Sequence, residues 1–230
     1  MTIQDTNQEA EVRGRFAYLV NAVPYRSRDR KIDGREILTT SNCLPADQHV
    51  LIQVLARAAK SIGLDEKVDL REDEGAEQFR AFAGDRIYTF TVDTRGYEWG
   101  APNISEAELR GYEALSDEQV FALDRTDVPD LLITDDSNIS LDGRGSERLK
   151  IVARPLVTVT VNTKNVRLRF GWHTGADIKA AAIAQGVTIE PDFTLDEERP
   201  DGDPQVIGDN ERTFVNGGEV FGAVDNHEDS

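Results

Sequence analysis

Residues able to do chemistry are few in this chain, and they stand apart. His49, His173 and His227 are the only imidazoles, and no two of them have metal-ligand spacing. Cys43 is the one cysteine, so no intramolecular disulfide can form, and nothing around it marks an activated thiolate rather than a packing residue. The chain has no Gly-x-Ser-x-Gly elbow, no phosphate loop and no dinucleotide fingerprint. It reads as a non-enzyme with no catalytic residue and no bound organic cofactor.

Carboxylates are the exception to this sparseness. Asp and Glu number 43 against 26 Lys and Arg, for a formal net charge of -17. In Asp135-Asp136-Ser137-Asn138-Ile139-Ser140-Leu141-Asp142-Gly143-Arg144-Gly145-Ser146-Glu147, oxygen donors counted from Asp136 fall at the first, third, fifth, seventh and twelfth places, the order of a calcium loop. Leu141 stands where that loop requires glycine, and the alternation of Ile139 with Leu141 equally describes a polar edge strand. Asp135, Asp136, Asn138 and Asp142 are the candidate ligands here. Asp201 and Asp203, in the acidic loop from Asp196 to Asp203, are the candidates in the last third of the chain. Carboxylates gathered this way repel in a compact assembly, so these loops stay solvated or hard divalent cations neutralise them where chains meet. The same charge repels nucleic acid and anionic membranes. No apolar stretch approaches the length of a membrane span, and the polar, acidic residues 1–11 are unlike a signal peptide, so the expected location is the cytoplasm.

The elements that must position these residues recur three times. Phe16-Ala17-Tyr18-Leu19-Val20-Asn21, Tyr88-Thr89-Phe90-Thr91-Val92-Asp93 and Val157-Thr158-Val159-Thr160-Val161-Asn162 are alternating strands. A helix start follows each after twelve residues, at Asp33, Ser105 and Thr174. An acid lies three places beyond each cap (Glu36, Glu108, Asp177), as in a capping box, with the Asp of the third copy the weaker version. A period of about seventy residues is the signature of a repeat architecture. The further strands expected are His49–Leu55, Lys67–Leu70 and Gln78–Phe82, then Gln119–Leu123, Asn138–Leu141 and Glu147–Val152, then Asp192–Leu195, Arg212–Val215 and Glu219–Val224. Only the third helix is strong by composition, with Gly186 placed to end it in a left-handed cap.

A hairpin crossed by one helix and completed by further strands is the β-grasp plan, so the expected class is α+β. The expected organisation is a disordered tail at 1–11, β-grasp domains at 12–84, 85–154 and 155–224, and an acidic C-terminal tail at 225–230. Units of this size are marginal alone, and Gly84-Asp85-Arg86 and Ala153-Arg154-Pro155 are too short to be flexible linkers. The three domains are therefore expected to pack as a rod.

Several phrases, taken in order, carry a resemblance. They are Leu19-Val20-Asn21 with Pro24-Tyr25, Ile32 to Leu38, Val68-Asp69-Leu70-Arg71-Glu72, Tyr88 to Asp93 with Tyr97-Glu98-Trp99, and Thr174 to Lys179. Over nearly all of residues 12 to 225 the chain resembles the bacterial multiubiquitin family, tandem ubiquitin-like proteins of bacterial conjugation operons. The resemblance implies activating-like and conjugating-like enzymes and a JAB-type peptidase as partners, and a part in phage defence or stress. It also implies self-assembly into homodimers or filaments with calcium at the contacts. Direct conjugation would use the C-terminus, here Ser230, which departs from the diglycine end of a ubiquitin-like modifier. Gly217-Gly218 is the one internal diglycine, and its flanking residues suit a hairpin turn with positive backbone angles.

Overall fold

A computed structural model of the chain describes residues 15–71, 76–143, 147–199 and 202–225. The first repeat comprises β1 (Phe16–Val20), β2 (Val23–Ser27), β3 (Lys31–Asp33), α1 (Gly34–Thr40), β4 (His49–Leu55), β5 (Ala58–Ile62), β6 (Lys67–Asp69) and β7 (Glu77–Ala83). The second has β8 (Tyr88–Val92), β9 (Arg95–Trp99), β10 (Asn103–Ser105), α2 (Glu106–Glu113), β11 (Gln119–Leu123), β12 (Leu131–Leu132), β13 (Asn138–Ser140) and β14 (Glu147–Ala153). The third has β15 (Leu156–Val161), β16 (Lys164–Arg169), β17 (Gly171–Thr174), α3 (Gly175–Ala184), β18 (Thr194–Glu197), β19 (Gln205–Ile207), β20 (Arg212–Val215) and β21 (Val220–Val224). The architecture is α+β, a tandem ubiquitin-like fold in which the same element order recurs.

Pairing repeats as faithfully as order. The opening hairpins β1/β2, β8/β9 and β15/β16 are antiparallel, and the last strand of each copy lies parallel to the first. A short ribbon beside each helix joins β3 to β6, β10 to β13 and β17 to β20. Inward positions across each hairpin match: Tyr18 opposite Tyr25, Phe90 opposite Tyr97 and Val159 opposite Val166. The first two pairs are stacked aromatics with ring centroids 5.8 and 4.9 Å apart.

The helix ends repeat too. Asn42, Ala114 and Gly186 are each left-handed, with φ of 59°, 52° and 85°. The following amides, of Cys43, Leu115 and Val187, donate back five residues to Leu38, Arg110 and Ala182, which makes each terminus a Schellman motif. Gly186 takes the role expected of it, while Ala114 takes the same role at a steric cost.

Repeats and compact units do not coincide. One unit holds the residues up to Leu115 with Phe121–Ile151, and the other holds Ser116–Val120 with the residues from Val152 on. In the first unit, two copies share one ten-stranded sheet, ordered β12-β11-β14-β8-β9-β5-β4-β7-β1-β2. The join is a parallel contact of β5 with β9 at Ala59 and Tyr97, reinforced where the Ser61 amide donates to Glu98 Oε2 at 2.6 Å. The cause lies in β4. Leu51 points to the core under α1 with Tyr18, Ile37 and Phe79, whereas Val50 and Ile52 point the other way into the core of Trp99, Leu109 and Phe121. A strand buried on both faces has lost its alternation, and the unbroken run Val50-Leu51-Ile52 is how the sequence records it. Phe82 meets Trp99 edge-on at 4.9 Å, against Gly100, where a Cβ would sit 2.5 Å from the Phe82 ring. The other unit has its own five-stranded sheet, ordered β16-β15-β21-β18-β19, over a core including Val161, Ile178 and Phe221.

Three details differ from expectation. Strands β3, β5, β10, β12, β17 and β19 went unpredicted: Ala58-Ala59-Lys60-Ser61 has little strand propensity of its own and is held by β4 and β9, and the other five are only 2 to 4 residues long. The strand expected at Asp192–Leu195 begins two residues later. The turn at Gly217-Gly218 has the positive φ values foreseen, 107° and 96°, but it is no hairpin, because β20 pairs with β17 and β21 with β15 and β18.

Candidate functional site

The acidic loop of the second repeat has to be built from the helix start beside it. Asp33, Ser105 and Thr174 cap their helices by accepting the amides of Glu36, Glu108 and Asp177. Only the third copy closes the reciprocal box: Asp177 Oδ2 accepts the Thr174 amide at 3.0 Å and its hydroxyl at 2.7 Å. The version expected to be weakest is thus the complete one: the short Asp reaches back, whereas Glu108 is drawn to Tyr112 and Arg80. These two bonds hold the Asp177 carboxyl below its ordinary range. Glu36 goes the opposite way, raised by burial and then by Asp33 and Asp29.

Each helix start is met by the loop after the fifth strand of its copy. In the first and third copies the first helical residue is glycine, and a Cβ there would lie 2.5 Å from Gly63 O or 2.6 Å from Gly208 O. The second copy places Glu106 at this position, buried to 2% exposure, with Arg110 at 2.8 Å from it and 3.3 Å from Asp135. The third copy has the corresponding cation and anion in Lys179 and Asp209, 2.7 Å apart, and Lys179 also donates to the carbonyls of Pro191 and Phe193. In the first copy the same two positions are Leu38 and Leu64, both in the core. Asp135 is therefore half of an ion pair for which one repeat substitutes an apolar contact.

The other predicted ligands do not converge on Asp135. Asp136 is exposed and left-handed, with φ of 61°. Asn138 and Ser140 lie on the outer side of β13 while Ile139 pairs with Ile104 in the core, as the strand reading of this segment has it. Asp142 lies 3.5 Å from Arg86. Asp203 is exposed; Asp201 and Ser230 lie outside the described residues, as does His227. Among the described residues no group of three or more His, Cys, Asp or Glu is placed to hold a metal ion. His49 Nδ1 and His173 Nε2 each bond a backbone carbonyl, of Pro45 at 3.0 Å and Arg169 at 2.7 Å. Cys43 is half-buried against the first core.

Sequence reasoning passed over two clusters. Glu113, with a fully buried side chain, accepts from Arg95 at 2.6 Å and from the Tyr97 hydroxyl at 2.5 Å; burial first, and then this bond, pushes the Tyr97 phenol far up, so it stays a donor. Glu108 accepts from Tyr112 at 2.5 Å and pairs with Arg80 at 2.8 Å, beside the Trp99 ring, so that β7 of the first copy is tied to α2. The one legible signal was the excess of aromatic and charged residues in Tyr97-Glu98-Trp99 and Glu106 to Glu113.

The strand-ending Asn or Asp is the third missed role. Asn21, Asp93 and Asn162 are left-handed, with φ of 51°, 53° and 47°, and their amides extend the parallel ladder to Phe79, Leu149 and Phe221. Asn21 and Asn162 then clamp both backbone groups of Ala81 and Ala223, and Asp93 accepts from Ile151 at 3.0 Å. The repeated dipeptide is thus a lock between the first and last strands of each copy.

With this geometry in view, comparison with known proteins finds that residues 16–83 are similar to the Multiubiquitin family, by a match to its model. The stretch is the first repeat, from β1 to the end of β7. This family is a ubiquitin-like one and not a family of enzymes. No curated protein matches the chain. No helix among the described residues is long and apolar enough to cross a membrane.

Proposed function

We propose that this chain is a ubiquitin-like protein of a bacterial conjugation system, working by assembly with its own copies through acidic, calcium-bridged contacts. The observation that carries the reading is the family match over residues 16–83, on a fold in which the same element order recurs along the chain. The acidic loops favour assembly as the chain's own activity, with cations offsetting the repulsion that a charge of -17 brings where copies meet. Asp135, Asp142 and Asp209 are paired with cations within the chain, so the carboxylates left to meet a cation between copies are exposed ones such as Asp136 and Asp203. Light scattering of the full chain tests this: particle size rises with calcium and falls with chelator, and a size indifferent to both overturns it.

The family match also supports a second reading, direct conjugation by activating-like and conjugating-like enzymes with a JAB-type peptidase to reverse it. Incubation with a cognate activating enzyme and ATP is then expected to give a covalent adduct through the C-terminus; intact mass spectra showing none exclude it.

A further inference from the structure

Asn216 is the only asparagine in the chain followed by glycine, and it stands exposed in the turn between β20 and β21. The backbone around it is held: the amides of Asn216 and Gly217 donate to Glu219 Oε1 and Oε2 at 2.9 and 3.0 Å, and the Gly218 amide donates to Thr158 O at 2.8 Å. The Asn216 side-chain amide, by contrast, makes no hydrogen bond among the described residues. Gly217 adopts φ of 107°, a backbone angle that side chains rarely tolerate, and a Cβ there would come 3.3 Å from Val157, so glycine suits the position and no side chain of its own crowds the amide nitrogen that Glu219 holds.

We infer that Asn216 is a site of self-modification by deamidation, with Glu219 as the base. The Gly217 nitrogen gives its proton to Glu219 and bonds to Asn216 Cγ. The Cγ–Nδ2 bond breaks, and ammonia leaves with the proton that Glu219 held. Water then opens the resulting succinimide at either carbonyl, giving aspartate or isoaspartate. The new carboxylate adds a charge three residues before Glu219, and the isoaspartyl product lengthens the main chain by one methylene ahead of β21, the strand that joins β15 to β18.

The test uses the full chain, held for weeks at neutral pH and read by peptide mass mapping. The peptide carrying Asn216 is expected to gain about one dalton, Asn216→Gln to stay unchanged, and Glu219→Gln to convert at least about threefold more slowly. An unchanged wild-type peptide overturns the proposal, and so does Glu219→Gln converting as fast as wild type or faster, since Glu219 then only clamps the turn. Should Glu219→Gln not fold, the wild-type pH–rate profile decides: conversion proportional to hydroxide across the neutral range removes Glu219 as base, and a plateau there supports it.

Discussion

Asn162 shows what a single side chain contributes to each repeat. Its carboxamide satisfies both the N–H and the C=O of Ala223, 61 residues away, from a backbone conformation that costs most residues energy. Asn162→Ala loses both bonds and keeps the unfavourable φ, so a cost of about 2 kcal/mol is expected in urea unfolding of this unit. Asp177 makes a pH-dependent contribution. Its folded-state pKa lies below the ordinary value because Thr174 bonds the carboxylate. The stabilisation is therefore complete above the ordinary aspartate range and is lost as pH falls through the depressed value. Asp177→Asn is expected to flatten the acid limb of the Tm–pH curve and to leave its neutral part lower. The repeated Asn or Asp was visible in the sequence from spacing alone. Its purpose was not, because the group it binds lies about sixty residues downstream and only parallel pairing brings the two together.

At the scale of elements, the helices and the first and last strands of each copy were legible because their signals are local: alternation, caps and left-handed stops. What escaped were β3, β5, β10, β12, β17 and β19, short strands whose neighbours impose their pairing. In the acidic loop, the partner of Asp135 escaped for a related reason. Asp135 resembles a ligand in sequence, yet Arg110, on the adjacent helix, neutralises it. Arg110→Ala is expected to cost about 3 kcal/mol, since buried Glu106 would lose its partner; no loss in denaturant titration would mean that Glu106 is satisfied some other way. Ala114 offers the converse test. Glycine adopts its left-handed angle without strain, so Ala114→Gly is expected to raise stability by about 0.5 kcal/mol despite the greater freedom of the unfolded chain, seen as a small upward shift of Tm.

For the whole molecule, the join between the first two copies is the feature that repeat counting did not reveal. Its residues occur once: at the positions of Glu98 and Trp99, the first repeat has Arg26 and Ser27 and the third has Arg167 and Leu168. Gly100→Ala would drive a methyl group into Phe82, at a cost of about 1–3 kcal/mol. Each unit also carries one tryptophan, Trp99 in the first and Trp172 in the second. In Trp172→Phe the remaining emission reports on the first unit alone, and there Gly100→Ala is expected to lower the midpoint. An unchanged midpoint would show that the Phe82–Trp99 contact is slack.

The shared β4 also bears on how the chain emerges from the ribosome. Residues 16–83, the stretch matching the family, are not a self-contained body, because Val50, Ile52 and Phe82 face outward until Trp99 and α2 have been synthesised. A polypeptide cut after Gly84 would carry an uncovered greasy sheet, and nascent chains paused at that point are the ones to which chaperones are expected to bind.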